Sequence, residues 1–146
     1  MVTKNNSICF ILLRNLNTPM RISNFIDWSK VKFFNKKEFN CKCCGKSNIS
    51  TNLVLKLDLA RELAETPFVI TSGYRCTKHN REVGGVQNSA HVVGLAVDIV
   101  VPDNVARLNI LRGLIIAGFR RIGIGKDFLH ADIDKSKPNS MWLYEA

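Results

Sequence analysis

Apolar side chains recur every three or four positions in two stretches of the chain, and this spacing predicts two amphipathic helices. The first helix covers residues 51–66 and ends at Pro67, whose ring is incompatible with a helix interior. The second begins after Asp103, a residue type that caps helix N-termini, and runs to about residue 119. Its apolar positions are expected to cover one face of a sheet, and they are Leu108, Leu111, Leu114, Ile115 and Ala117.

Short apolar or alternating runs around these helices predict β-strands. Residues 67–72 form one such run, and residues 95–101 form a second that is rich in β-branched side chains. Residues 120–124 and 128–133 flank a Gly-Lys-Asp turn and therefore predict a hairpin, while residues 141–144 form a final strand or a cover for a cleft. This order of elements predicts an α+β fold, with a small antiparallel β-sheet flanked by helices.

The chain has 146 residues, which is the size of one domain with a substantial core. Residues 31–146 are predicted to form that domain, and residues 1–30 an N-terminal extension of unassigned role. The apolar run of residues 8–13 is too short to span a bilayer, and no small-residue cleavage pattern follows it. We therefore expect no signal peptide, no membrane span, and synthesis in the cytoplasm.

Asp98 is the unusual member of the 95–101 run because it places a carboxylate among apolar residues. A buried ionised carboxylate is costly unless a cation or strong hydrogen-bond donors meet it. Ala96 leaves room beside it, and His91 is the nearest second ligand for a metal ion. The seven-residue spacing does not fit one continuous strand, so we predict a bend at Gly94 that folds His91 back. The alternative is a loop histidine and an aspartate bonded to backbone amides.

The alternating segment of residues 128–133 decides between these alternatives. Its period places Phe128, His130 and Asp132 on one strand face. With His91 and Asp98, the second histidine completes a His, Asp, His set. Three protein ligands with one open position are typical of a catalytic zinc site rather than a structural one, so we predict one catalytic Zn²⁺ bound by these residues.

Further motifs surround this set: Ser72-Gly73-Tyr74-Arg75, Asn80, Val83-Gly84-Gly85, Ser-x-His-x-x-Gly-x-Ala-x-Asp over residues 89–98, and His-x-Asp over residues 130–132. In this order and at these spacings the chain resembles the zinc D-alanyl-D-alanine carboxypeptidases and related cell-wall metallopeptidases, whose fold is shared with the hedgehog signalling domain. The resemblance runs from about residue 34 to residue 144 and is strongest to the phage-type branch, whose members act as endolysins or wall-trimming peptidases.

The resemblance implies a zinc peptidase that hydrolyses peptide bonds at D-amino acids in peptidoglycan stem peptides. Relatives act either as D,D-carboxypeptidases or as endolysin-like endopeptidases. The resemblance places Arg75 next to the polarised carbonyl or carboxylate of the substrate, and it makes Ser89 a contact to the substrate or to a ligand side chain. It also implies action on the bacterial cell wall after release from the cell.

Two aspartates are candidates for the general base that such hydrolysis requires. Asp132 shares a strand face with His130, but a carboxylate in that place can instead orient a ligand histidine. Asp127 lies three residues before His130, which matches the acidic-x-x-His arrangement of several relatives, although it falls in the predicted hairpin turn. Other relatives use a histidine two residues before the ligand, and that position is Phe128 here. Both aspartates therefore stay candidates.

Cys41 and Cys44 form a C-x-x-C pair followed by glycine, a pattern that often makes a zinc knuckle. With Cys76 as a further ligand, this pair predicts a second, structural Zn²⁺. The other candidates for completing such a site are Cys43, Cys9 and His79. A disulfide between Cys76 and the cluster and a set of free thiols are two further interpretations. The chain has five cysteines, so at least one stays outside any disulfide within the chain.

The formal net charge of +9 favours anionic surroundings such as a bacterial wall, a nucleic acid or an anionic membrane. The basic residues are spread along the chain, which favours a solvated surface over a dedicated binding face. A non-hydrolytic zinc-binding module on the same fold is one alternative function. A basic nucleic-acid-binding protein with a cysteine zinc knuckle is another, and it would require a clustered basic face. We expect a peptidoglycan peptide as the substrate, no nucleic-acid partner, and a monomer.

Overall fold

The computed structural model describes residues 25–145, so the predictions for residues 8–13 and for Cys9 lie outside the described residues. Two 3-10 turns, Trp28–Lys30 and Lys36–Phe39, come first. The helices and strands that follow are α1 Thr51–Ala64, β1 Ile70–Ser72, α2 Thr77–Glu82, β2 Ala96–Val100, α3 Asn104–Ile116, β3 Arg121–Ile124, β4 Phe128–Asp132 and β5 Ser140–Leu143. The sequence pattern had not predicted the short helix α2. None of the helices within the described range is both long and apolar enough to cross a lipid bilayer.

The five strands form one sheet in the order β1-β2-β4-β3-β5. The predicted α+β class is confirmed, and the predicted antiparallel pairing holds for β1 with β2, β2 with β4, and β4 with β3. The expectation of a purely antiparallel sheet is wrong in one place, because β5 runs parallel to β3. Both sides of β4 are already paired, and the last strand joins the sheet at the free edge of β3.

One face of the sheet is apolar and buried, and the other is polar. On one face, Val97 and Ile99 of β2 and Leu129 and Ala131 of β4 are fully buried in the apolar core. That core also holds the buried faces of α1 and α3. Side chains alternate along a strand, so Asp98 and its neighbours on β4 project from the opposite face. This second face carries the polar chemistry.

Helix α3 packs against α1 along a stripe that overlaps the predicted one only in part. The buried residues of α3 are Ala106, Ile110, Gly113 and Leu114. The predicted position Leu114 is fully buried, and Leu111 and Ala117 pack against the core. The predicted positions Leu108 and Ile115 are instead 66% and 50% exposed. Gly113 lies in the buried stripe, and a Cβ there would overlap the backbone oxygen of Ala60. The absence of a side chain at this position allows the close contact between the two helices.

The predicted bend at Gly94 is present. Gly94 has a φ of 72° and its N–H donates to the carbonyl of His91, while its own carbonyl accepts from the N–H of Ser50. A Cβ at this position would overlap the backbone oxygen of Asn48. The turn that returns His91 to the strand therefore requires a residue without a side chain.

We expect Gly94→Ala to lower the free energy of unfolding by about 3 kcal/mol or more, because it combines a left-handed backbone with a clash against backbone atoms. Urea unfolding followed by circular dichroism measures the loss. Gly84→Ala is the matched control, since Gly84 has a similar φ of 71° but open space around it. The control should lose only about 1 kcal/mol. Equal losses in the two variants would contradict the steric explanation.

Candidate functional site

Asp98, His91 and His130 meet on the polar face of the sheet. Asp98 of β2 lies directly opposite His130 of β4 in the strand register, and His91 comes from the turn before β2. Asp98 Oδ1 is 2.9 Å from His130 Nδ1 and 3.2 Å from His91 Nε2. The three ligand atoms all lie within 4.8 Å of one another. The structure therefore brings together the three residues that the sequence predicted as a metal site.

Each histidine is oriented by the ring nitrogen that faces away from Asp98. His91 Nδ1 donates a hydrogen bond to the Gly73 carbonyl at 2.7 Å, which leaves Nε2 directed at the centre. His130 Nε2 donates to Asp132 Oδ2 at 3.1 Å, which leaves Nδ1 directed at the centre. Such anchoring of the distal nitrogen is the usual arrangement around metal-bound histidines. Two imidazole nitrogens and one carboxylate oxygen are also ligands that zinc prefers, so the residues present fit a zinc ion.

Arg75 completes the surroundings of Asp98. Its Nη2 donates to Asp98 Oδ2 at 2.6 Å, and its Nε donates to Ser72 Oγ at 2.7 Å. Burial alone would raise the pKa of Asp98, but hydrogen bonds from His130 and His91 outweigh burial and hold the pKa far below its usual range. The carboxylate is therefore ionised at neutral pH, as a metal ligand must be.

The pKa of His130 is shifted in the opposite direction to that of Asp98. Burial alone would lower the pKa of His130, but its hydrogen bonds to Asp132 and Asp98 outweigh burial and raise the pKa above the usual value. A metal ion binds only the neutral imidazole, so loading the centre displaces a proton from His130 whenever that residue is protonated.

The two candidate bases occupy different surroundings. Asp132 is 2% exposed, and its carboxylate accepts hydrogen bonds from His130 Nε2, from Arg121 Nε at 2.8 Å and from the Asp134 N–H at 3.0 Å. Asp127 is exposed, in the turn before β4, and its carboxylate makes no hydrogen bond or ion pair with any residue in the range 25–145. Asp127 and Asp98 both line a shallow depression that Thr71 and Phe128 also border.

The ligand set opens into a cleft of about 480 Å³. The sequence-predicted residues Arg75 and Ser89 both line it. Ser89 is 8% exposed and its Oγ accepts a hydrogen bond from the N–H of His91 at 3.3 Å, so it also holds the histidine turn in place.

Several cleft residues were not predicted from the sequence or were assigned another role, among them Arg121, Lys137, Trp142 and Tyr144. The rings of Trp142 and Tyr144 lie 5.5 Å and 6.4 Å from the His130 ring. Gly123 makes room for them, because a Cβ there would lie 2.5 Å from Tyr144 and 2.7 Å from Trp142. The glycine in the middle of a predicted strand was the available signal, but only the parallel β3–β5 pairing reveals what fills the space.

A family model described as Peptidase M15 matches residues 32–134. The chain belongs to the peptidase M15 family. No curated protein matches the chain at a significant level. M15 peptidases use zinc, and the matched range includes all three predicted ligands of this M15 peptidase and both candidate bases. Strand β5, with Trp142, lies beyond the matched range.

One wall of the M15 cleft is held by an ion pair in the loop after β4. Lys137 Nζ lies 2.7 Å from Asp134 Oδ2 and donates to the Asn88 carbonyl at 2.6 Å. Asn88 directly precedes Ser89, so Lys137 joins the two loops that border the cleft on this side. Burial alone would raise the pKa of Asp134, but hydrogen bonds from Lys137 and Ser136 outweigh it and lower the pKa to about 2.

We expect Asp134→Asn to lower the free energy of unfolding near pH 6 by about 1–2 kcal/mol. The folded-state pKa is below the unfolded value of about 3.9, so this stabilisation is present above pH 4 and is lost as the pH falls towards 2. Urea unfolding of both proteins at several pH values measures the effect. The difference between variant and wild type should shrink as the pH falls, and a constant difference would contradict the ion-pair explanation.

Proposed function

We propose that this M15 peptidase hydrolyses peptide bonds at D-amino acids in the stem peptides of peptidoglycan. The observation that carries the proposal is the open cleft whose floor holds His91, Asp98 and His130 with their ligand atoms mutually within 4.8 Å. One Zn²⁺ held by these residues would polarise the scissile carbonyl and lower the pKa of a water molecule. The net charge of +9 suits an anionic wall, where the protein would act as a monomer after its release.

The chain's own residues prepare the centre for this chemistry. Arg75 binds Asp98 Oδ2 and so leaves Oδ1 facing the two histidines. Asp132 holds the His130 ring from behind, and Arg121 in turn holds Asp132. Rigid support of this kind keeps ligand atoms in a productive arrangement before the substrate arrives.

Asp127 is the general base in this proposal. All three hydrogen bonds to the buried Asp132 serve to orient His130 and the following loop, so accepting a proton would break that arrangement. The Asp127 carboxylate makes no hydrogen bond or ion pair within the described residues, and it borders the same depression as the ligand Asp98. A carboxylate without such contacts is freer to accept a proton and return it to the leaving amine.

The cations of the cleft favour cleavage of an internal bond over removal of a terminal D-alanine. Arg75, Arg121 and Lys137 line the cleft, and each is paired with a carboxylate of the chain. A carboxypeptidase needs an available cation for the terminal carboxylate of its substrate. We therefore propose the endolysin-like endopeptidase activity first and D,D-carboxypeptidase activity second.

The test is digestion of purified peptidoglycan by the full-length, zinc-loaded protein, with mass spectrometry of the soluble products. New stem fragments that appear with wild type and not with His91→Ala would support an endopeptidase. Release of free D-alanine alone would identify a carboxypeptidase and contradict the preferred cleavage. A zinc-loaded wild type that leaves every stem peptide intact would overturn the hydrolase proposal in favour of a zinc-binding module.

A further inference from the structure

Four cysteines lie close together beside Arg75. Three of them are neighbours in sequence, and the fourth comes from a distant segment. Cys41, Cys43 and Cys44 lie in one short loop, and Cys76 directly follows Arg75. All four sulphur atoms lie within 4.8 Å of one another. We propose that these four cysteines bind a second zinc ion, which has a structural task and fastens the loop of residues 41–46 to the end of the segment that carries Arg75.

The distances between the sulphur atoms match a tetrahedral metal site. Cys43 Sγ is 3.3 Å from Cys76 Sγ and 3.6 Å from Cys41 Sγ. Zinc–sulphur bonds of about 2.3 Å in tetrahedral geometry place sulphur atoms about 3.8 Å apart. Four thiolates leave no open position on the ion, and this closed arrangement is typical of a structural site rather than a catalytic one. The four cysteines are free thiols in the structure, so no disulfide competes for them there.

The backbone around the sulphur atoms is arranged as in a zinc knuckle. The Gly45 N–H donates to the Cys41 carbonyl and the Cys41 N–H donates to the Lys46 carbonyl, both at 2.8 Å. Gly45 has a φ of 69°, which closes this tight turn. Two backbone N–H groups point at sulphur, from Cys76 to Cys41 Sγ and from His79 to Cys76 Sγ, each at 3.4 Å. Such N–H donors stabilise thiolate, which is the form that binds metal.

The ligand set extends the one suggested by the C-x-x-C spacing alone. Cys43, which lies between the spaced pair, joins the group, whereas the imidazole of His79 does not. Four thiolates around Zn²⁺ leave a net charge of −2, and Lys42 and Lys46 within the same loop offset it.

The position of the cluster gives the metal a structural consequence for the cleft. The Tyr74 N–H donates to the Phe39 carbonyl at 3.0 Å, and the Arg75 N–H donates to the His91 carbonyl at 3.1 Å. Gly73 packs so closely that a Cβ would lie 2.7 Å from the Phe39 backbone. The segment of residues 73–76 is thus held between the cysteine loop and the His91 turn. A metal ion on the cysteines would lock one side of this arrangement.

Metal content of the full-length protein tests the proposal independently of peptidase activity. Cys9→Ser is the background for all variants, because Cys9 lies outside the described residues and its thiol would confuse thiol counts. The background protein should contain two zinc equivalents. His91→Ala should lose one, Cys76→Ser should lose the other, and the combined variant should contain none. Cobalt loading should give thiolate-to-metal charge-transfer absorption in His91→Ala but not in Cys76→Ser.

Two further measurements keep the test decisive if Cys76→Ser fails to fold. In the background protein, the four thiols should resist a thiol reagent until a chelator removes the metal. Chelation should also accelerate hydrogen exchange at the Tyr74 and Arg75 amides. The proposal is overturned if the fully loaded background protein holds a single equivalent that His91→Ala removes, with all four thiols reactive at once. Failure of the peptidoglycan digestion with two equivalents present would instead contradict only the proposed function.

Discussion

Asp98→Asn should remove zinc from the His91–Asp98–His130 centre and lower kcat/KM for stem-peptide hydrolysis by at least about 10³-fold. The substitution keeps the shape of the side chain but removes the only carboxylate among the three ligands. It also leaves the Arg75 guanidinium, whose side chain is 15% exposed, without its charge partner. Without the Asp98 carboxylate, the site has two histidines and an unpaired arginine, and its positive charge repels a divalent ion. The affinity for the metal therefore decreases.

Zinc content and peptidoglycan digestion, measured on the same preparations, check this expectation. Asp103→Asn is the matched control because Asp103 caps helix α3 through the Ala106 N–H, and asparagine caps equally well. The control should keep its zinc and its activity. If Asp98→Asn retained both as well, Asp98 could not be a ligand and the metal centre would have to be reassigned.

Asp127→Asn should lower kcat by about 10²- to 10⁴-fold while the zinc content and KM stay close to wild type. The amide cannot accept the proton that the reaction releases. The Asp127 side chain is exposed, and its carboxylate makes no hydrogen bond or ion pair with another described residue, so the substitution should leave the fold and the metal centre intact. Initial rates with a soluble stem peptide, together with metal analysis, separate the loss of kcat from a loss of metal.

Asp132→Asn is the informative comparison because the Asp132 carboxylate already accepts hydrogen bonds from His130, Arg121 and the Asp134 N–H. Its loss should weaken the hold on His130 and reduce zinc affinity by about 10- to 100-fold, with part of the activity recovered at high zinc concentration. The opposite pattern would reverse the assignment. Full kcat in Asp127→Asn, with a zinc-replete but inactive Asp132→Asn, would make Asp132 the base.

The chemistry of the centre could be predicted from the chain because it depends on local patterns. A carboxylate within a β-branched run marks Asp98, and period-2 alternation places His130 and Asp132 on one face. Gly94 signalled the turn that returns His91, since only glycine tolerates that backbone next to another chain segment. In each case the information lies within a few residues of the group concerned.

Tertiary structure decided the features that depend on segments far apart in the chain. The sulphur of Cys76 reaches a loop more than thirty residues earlier, β5 joins the free edge of β3, and Gly113 allows α3 to pack closely on α1. The hydrogen bond from Arg121 to Asp132 also depends on tertiary structure, because the two residues lie on neighbouring strands. The amino-acid sequence determined which groups are available for catalysis. Only the packing of distant segments decided which carboxylate is occupied, which is free and which sulphur atoms meet, because these depend on distances that local periodicity does not encode.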